Sequence, residues 1–252
     1  MKNYKEVSII KTDRKKFILL ISALFSVFLG FSLLAFLIAP ALKITQIANS
    51  KVFDVSKNYY VVCVDTKLTS QKDALNEAQS FKAKGGAGVL FFDSTYFITI
   101  SSYFKKSDAQ KVAENLTTEE LPFCVLDFNI QLNLKDFEKD EKQEFLTYFN
   151  FCLNLIDEQK ALAEDLDTNS ISKINANLKV KNMLLKAQNY SHNLLNSNNK
   201  NLQKLSSTMI TFSSILDYAS DEDLLDLAVL PYSSSIRQAE MQCLLTLKNF
   251  KL

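Results

Sequence analysis

Thiols and one imidazole are the side chains of this chain best suited to nucleophilic or metal chemistry. The four cysteines, Cys63, Cys124, Cys152 and Cys243, are widely spaced, and no two of them form the C-x-x-C pair of a zinc site or thiol redox centre. The only histidine, His192, has no Ser or Cys partner at a spacing typical of a catalytic pair. We therefore expect a protein that is not an enzyme and that holds neither a metal nor another cofactor.

Three of the four glycines lie together in the segment Gly85-Gly86-Ala87-Gly88. This segment lacks the lysine and hydroxyl residue of a phosphate-binding loop, and its glycines do not have the spacing of a dinucleotide fingerprint. It is instead predicted to be the turn that ends a helix, where a residue with positive φ is needed.

The charge of the chain argues against nucleic acid as a partner. The 29 Lys and Arg residues nearly cancel the 28 Asp and Glu residues, so no large net field attracts a polyanion. No basic run is interleaved with aromatic residues in the way that a base-stacking platform requires.

An uncharged apolar run extends from Phe17 to Ile38. At about 1.5 Å per residue, a helix of this length matches the roughly 30 Å hydrocarbon core of a bilayer. Lys and Arg are more frequent before the run than after it, so the sequence predicts a single-pass protein of the cell membrane. Residues 1–16 would be a cytoplasmic tail, 17–42 the transmembrane helix and 43–57 a linker to an extracytoplasmic part. The alternative is a signal peptide cleaved near Ala39-Pro40-Ala41.

Alternating strand and helix patterns follow the linker. Runs of aromatic and β-branched residues predict four strands, and apolar residues at helical spacing predict two helices between them. The order is β-α-β-β-α-β, the split arrangement of ferredoxin-like domains. The predicted segments are strand 59–64, helix 69–84, strand 89–92, strand 96–100, a helix capped near Ser107, and strand 122–128.

The same stretch, taken as a domain over residues 58–130, resembles the SPOR domain, a bacterial module that binds septal peptidoglycan stripped of its peptide stems. The aromatic and valine strand Tyr59 to Val62, the helix end Phe81 to Gly85, and the segment Tyr96 to Phe104 followed by Ser107 to Gln110 carry the resemblance. It implies a four-stranded sheet with helices on one face, a glycan-binding groove on the other, and a role in cell division or sporulation.

The resemblance implies that glycan contacts lie on the open face of the sheet. Aromatic rings would stack on sugar rings, and hydroxyl groups would bind sugar hydroxyls. The candidate glycan-binding residues are Tyr60, Val62, Thr99, Ser101 and Tyr103. The alternative for Tyr60 and Val62 is that they cover a second apolar face.

Helical periodicity dominates residues 135–252, which are predicted to form a helical hairpin or bundle. Apolar residues recur at the a/d spacing typical of coiled coils in two seams joined by a turn near Asp165 to Ser170. The first seam is Phe145, Phe149, Cys152, Ile156, Gln159, Ala163 and Leu166. The second is Ile171, Ile174, Leu178, Lys181, Leu185, Gln188, His192, Leu195, Asn198, Leu202, Leu205, Met209, Phe212, Leu216 and Ala219. The polar residues within this second seam favour a homodimer. A last helix is predicted over residues 235–250.

The predicted fold class is thus α+β: one N-terminal transmembrane helix, a ferredoxin-like SPOR-like domain and a C-terminal helical bundle. Two functions remain open. In the first, a membrane-anchored envelope protein binds peptidoglycan glycan strands. In the second, a non-catalytic scaffold uses a degenerate SPOR-like domain and the bundle to bind an envelope or divisome protein. Cys63 and Cys124 fall on the first and fourth strands, neighbours in a ferredoxin-like sheet, so they are either buried thiols or a disulfide.

Overall fold

The computed structural model describes residues 54–118 and 121–252 of the chain. The strands are β1 (Val55–Asp65), β2 (Val89–Asp93), β3 (Thr95–Tyr103) and β4 (Phe123–Leu132). The helices are α1 (Gln71–Ala83), α2 (Lys106–Leu116), α3 (Lys139–Asp167), α4 (Lys173–Leu195), α5 (Lys200–Ala219) and α6 (Val229–Lys248), with a short 3-10 turn at Glu222–Asp226. Every strand and helix predicted between residues 59 and 128 is present, with shifted ends.

The four strands form one sheet in the order β2-β3-β1-β4, and all neighbours are antiparallel. β1 lies in the centre and pairs with β4 from Val55 to Val64. β2 pairs only with the first half of β3, from Thr95 to Thr99. The end of β3, from Ser101 to Tyr103, therefore extends past β2.

The glycine turn after α1 is a close backbone crossing. Gly88 has φ of +63°, and a Cβ atom there would lie 2.8 Å from the carbonyl oxygen of Ala78. Only glycine fits this combination of positive φ and close approach. The turn then continues beside β3, because the amide of Ala87 donates to the carbonyl oxygen of Ile100.

Helices cover both faces of the sheet. On one face, Val62 packs against Ala109 and Ala113 of α2. On the other, Tyr59 and Phe128 belong to the same core as the helices α3 to α6. The second face of the sheet is therefore not the open groove that the sequence led us to expect, since residues of the C-terminal half occupy it.

The structure corrects the fold class predicted from the sequence. The described residues form an α+β structure in which six helices and a curled four-stranded sheet share one core, rather than a sheet domain followed by a separate bundle. Among the described residues, no helix combines the length and apolar character needed to cross a membrane. The predicted transmembrane helix at residues 17–42 lies outside the described part.

The two predicted seams have different outcomes. All seven residues of the first seam are buried in α3, as predicted. The second seam does not run through one continuous helix, because the chain turns after Leu195 and Asn199 caps a new helix, α5. The α5 part of the seam is buried, from Leu202 to Ala219, whereas the α4 part is exposed. Ile174, Leu178, Leu185 and Leu195 are 65%, 54%, 57% and 57% exposed.

Candidate functional site

A polar cavity of about 290 Å³ lies where β3 extends past β2. The glycine turn after α1, the end of β3 and the facing sides of α3 and α6 form its walls. The side chains that give it its chemistry are Ser101, Ser102, Tyr103, Lys160, Arg237 and Glu240.

The strand register places the β3 residues around this edge of the sheet. Ser102 is opposite Val61 of β1, and Ser101 and Tyr103 are opposite Val62 and Tyr60. Because successive strand residues point to opposite faces, Ser102 lies on the α6 side, and Ser101 and Tyr103 lie on the α2 side. The hydroxyl of Ser101 donates to the hydroxyl of Tyr103 at 3.0 Å, so the two side chains are held together.

Glu240 is the buried polar centre of the cavity wall. It lies on α6 with almost no exposed surface and accepts a hydrogen bond from the hydroxyl of Ser102. Burial raises the pKa of Glu240 to about 7, although the Ser102 hydrogen bond and the cations of Lys160 and Arg237 act in the opposite direction. At neutral pH this carboxyl group therefore exists in both protonated and ionised forms, and it can donate or accept a hydrogen bond.

Arg237 connects three parts of the wall. Its Nη1 donates to the carbonyl oxygen of Gly85 at 2.9 Å, and its Nη2 pairs with the carboxylate of Asp167 on α3. Arg237 thereby fixes the glycine turn relative to the C-terminal end of α3 and the middle of α6. Because the guanidinium group is planar and has several donors, it suits this bridging role better than an ammonium group does.

Lys160 of α3 extends over the aromatic side of the cavity. Its ammonium group pairs with Glu164 and lies 5.2 Å from the centre of the Tyr103 ring, within the range of a cation–π contact. The cations of the cavity, Lys84, Lys160 and Arg237, are thus largely matched by Glu164, Asp167 and the partly ionised Glu240. This balance, together with the serine hydroxyls, suits an uncharged ligand rich in hydroxyl groups rather than a strongly charged one.

The structure brings together two of the five residues predicted to bind glycan, Ser101 and Tyr103. Tyr60 is half-buried in the cluster beneath α2. Val62 and Thr99 have no exposed surface. The Thr99 hydroxyl donates to the carbonyl oxygen of Val89 at 3.1 Å, so it serves the pairing of β2 with β3.

Glu240, Arg237, Lys160 and Ser102 were not among the predicted site residues. One signal for Glu240 was present in the sequence, because it follows the buried Ile236 by four residues and precedes the buried Cys243 by three. A carboxylate at this helical spacing is on the buried face of its helix, and such a group needs a polar partner.

The described residues contain no group of three His, Cys, Asp or Glu side chains that could hold a metal ion. No family model, curated protein or solved structure matches the chain. The SPOR resemblance therefore stays a prediction that rests on the residues of this sequence alone.

Proposed function

We propose that the chain is a non-catalytic saccharide-binding protein that takes a segment of a peptidoglycan glycan strand into the cavity beside β3. The observation that carries this proposal is the meeting of an aromatic ring, Tyr103, with the hydroxyls of Ser101 and Ser102 and the buried carboxyl group of Glu240. Sugar rings offer apolar faces to aromatic side chains and hydroxyl groups to polar ones, which matches this set.

The shape of the fold limits the size of the bound segment. The face of the sheet opposite α1 and α2 is covered by the chain's own helices, so a long glycan strand finds no open groove there. The cavity of about 290 Å³ is at the small end of ligand sites, which suits one or two sugar rings entering at the sheet edge. The SPOR resemblance supports glycan strands as the source of those rings.

The second candidate function is the non-catalytic scaffold that binds an envelope or divisome protein. The observation that favours it is that the chain's own helices cover the sheet face opposite α1 and α2. A SPOR-like sheet whose open face packs against its own chain has lost the surface on which glycan binding is expected. The exposed apolar residues of α4 give this scaffold a surface for a protein partner or a second copy. The location at the cell membrane stays a prediction under both functions.

A sedimentation experiment with purified peptidoglycan sacculi tests the proposal. The full-length protein is mixed with sacculi whose peptide stems an amidase has removed, and with untreated sacculi. We expect greater retention on the treated sacculi, with an affinity weakened about fivefold by Tyr103→Ala, since a lost aromatic contact costs about 1 kcal/mol. Ser101→Ala is a milder variant of the same site.

Tyr218→Ala is the matched control, because Tyr218 is exposed on α5 and does not line the cavity. It should bind like the unmodified protein. Equal background retention on both kinds of sacculi would contradict the proposal and favour the scaffold.

A further inference from the structure

Cys63 and Cys124 are directly opposite each other in the pairing of β1 with β4. Opposite residues of antiparallel strands have Cα atoms about 4.5 or 5.5 Å apart, depending on the type of pair. Both distances lie within the range of about 4.4 to 6.8 Å that disulfides span. The two side chains also point to the same face of the sheet, because opposite residues share a face.

We propose that Cys63 and Cys124 are a modification site, at which a small disulfide oxidant such as oxidised glutathione forms a disulfide between β1 and β4. Both residues are thiols in the structure. The register that places them opposite each other is continuous from Val55 to Val64, so the bond would join two residues that the backbone already pairs.

Access to the pair is through Cys124. Cys63 has no exposed surface, whereas Cys124 is half-buried on an edge strand. The Cys124 side chain shares the sheet face of Cys63, the face that packs against the C-terminal helices and not against α2. An oxidant that approaches this edge of the sheet therefore meets the Cys124 sulfur before it can meet that of Cys63.

The chemistry is a pair of thiol-disulfide exchanges. The Cys124 thiolate attacks one sulfur of oxidised glutathione, which forms a mixed disulfide and releases one glutathione thiolate. The Cys63 thiolate then attacks the Cys124 sulfur, which forms the cross-strand bond and releases the second glutathione thiolate. Two protein thiols are oxidised, one oxidised glutathione is reduced to two thiols, and the two protons pass to the released thiolates.

Both exchanges are slowed by the protein environment. Burial raises the pKa of the Cys63 thiol far above its usual range, although Lys248 at the end of α6 acts in the opposite direction. Burial and the nearby Asp65 carboxylate raise the pKa of Cys124. Since the thiolate is the reacting form, the oxidation should become faster as the pH rises above neutrality.

The other two cysteines provide an internal control. Cys152 and Cys243 lie in the core on α3 and α6 and have no exposed surface. The Cys243 sulfur accepts a hydrogen bond from the Gln159 amide at 3.7 Å, and the Cys152 sulfur is 3.8 Å from that of Met209. An oxidant that cannot enter the core should leave both of them as thiols.

The test is peptide mapping of the full-length protein after incubation with oxidised glutathione. We expect one cross-linked peptide pair containing Cys63 and Cys124, with Cys152 and Cys243 free. The bond closes the chain between the two residues into a loop, so the oxidised protein should melt about 10 °C higher than the reduced protein. Cys124→Ser, a change at a half-buried position, should remove both the cross-link and this rise while leaving the melting temperature of the reduced protein nearly unchanged.

Two results would overturn the proposal. One is a glutathione adduct that persists on Cys124 without a cross-link to Cys63. The other is a cross-link between Cys152 and Cys243 while Cys63 and Cys124 stay free. Mapping decides between these outcomes even if the serine variant does not fold.

Discussion

The hydroxyl group of Ser102 donates a hydrogen bond to the buried carboxyl group of Glu240, and this contact joins the end of β3 to the middle of α6. The two residues are far apart in the sequence, and their pairing places the last helix over the sheet face that contains Val61 and Phe128. A carboxyl group in this position needs a hydrogen-bonding partner, because an unpaired buried polar group is costly. The Ser102–Glu240 pair thus both positions α6 and lines the cavity beside β3.

The stability of the protein should fall as the pH rises from about 4.5 to about 7. In the unfolded chain Glu240 ionises near the ordinary glutamate pKa of 4.5, whereas burial raises its pKa in the folded protein to about 7. Between these values the folded state holds a proton that the unfolded state has lost, so each increase in pH favours unfolding, by about 3 kcal/mol over the whole interval. Urea unfolding at several pH values measures this slope.

Glu240→Gln is the matched variant for this measurement, because the amide keeps the shape of the side chain and can still accept the hydrogen bond from Ser102. The contribution of Glu240 to the pH slope should disappear in this variant. A variant with the same slope as the unmodified protein would show that other groups titrate in this interval.

Sequence patterns predicted the strands but not their full length. The apolar residues from Tyr59 to Val64 marked β1, but the strand begins four residues earlier, at Val55. The polar residues Ser56 to Asn58 continue the strand because β4 pairs with them and because Lys57 forms an ion pair with Asp157 of α3. Such partners come from distant parts of the chain, so a local apolar pattern does not reveal them.

The cavity, too, could be predicted only in part from local sequence patterns. Ser101 and Tyr103 could be selected because they lie just after the predicted strand 96–100, in the segment Tyr96 to Phe104 that carries the SPOR resemblance. Arg237 and Glu240 could not be assigned to the same site, because only the packing of α6 on the sheet brings them to β3. The alternative that Tyr60 and Val62 cover a second apolar face allowed for a sheet that is covered on both sides, but the sequence did not show which helices cover it.

Arg237 and Asp167 should be energetically coupled. Removing the guanidinium group with Arg237→Met leaves both the Asp167 carboxylate and the Gly85 carbonyl without this donor, so we expect a loss of about 1 to 3 kcal/mol in unfolding free energy. Asp167→Asn should cost less, since the amide oxygen still accepts from Arg237. The double variant, measured by urea unfolding, should lose less than the sum of the single variants. Additive losses would mean that the pair makes no net contribution.

The two faces of α4 should respond differently to truncation. Met183 is almost fully buried, so Met183→Ala should lower the unfolding free energy by about 2 to 5 kcal/mol. Leu185, two residues later, is 57% exposed. Leu185→Ala should therefore change the unfolding free energy by no more than about 0.5 kcal/mol. Both faces of α4 carry apolar residues at helical spacing, and packing against α5 selects which one is buried. The reverse order of effects would mean that the face predicted from the sequence seam is the buried one.

The homodimer predicted from the second seam can use only the α4 part of that seam, because the α5 part is in the core. Replacing Leu178 and Leu185 together with glutamate should therefore dissociate such a dimer without lowering the melting temperature of the monomer. Analytical ultracentrifugation of the full-length protein over a range of concentrations measures the association directly. The control is the pair of changes Ser207→Glu and Thr211→Glu on the exposed side of α5, which adds the same charge outside the seam. A dimer that survives the α4 changes and is lost in the control would place the interface on α5 instead.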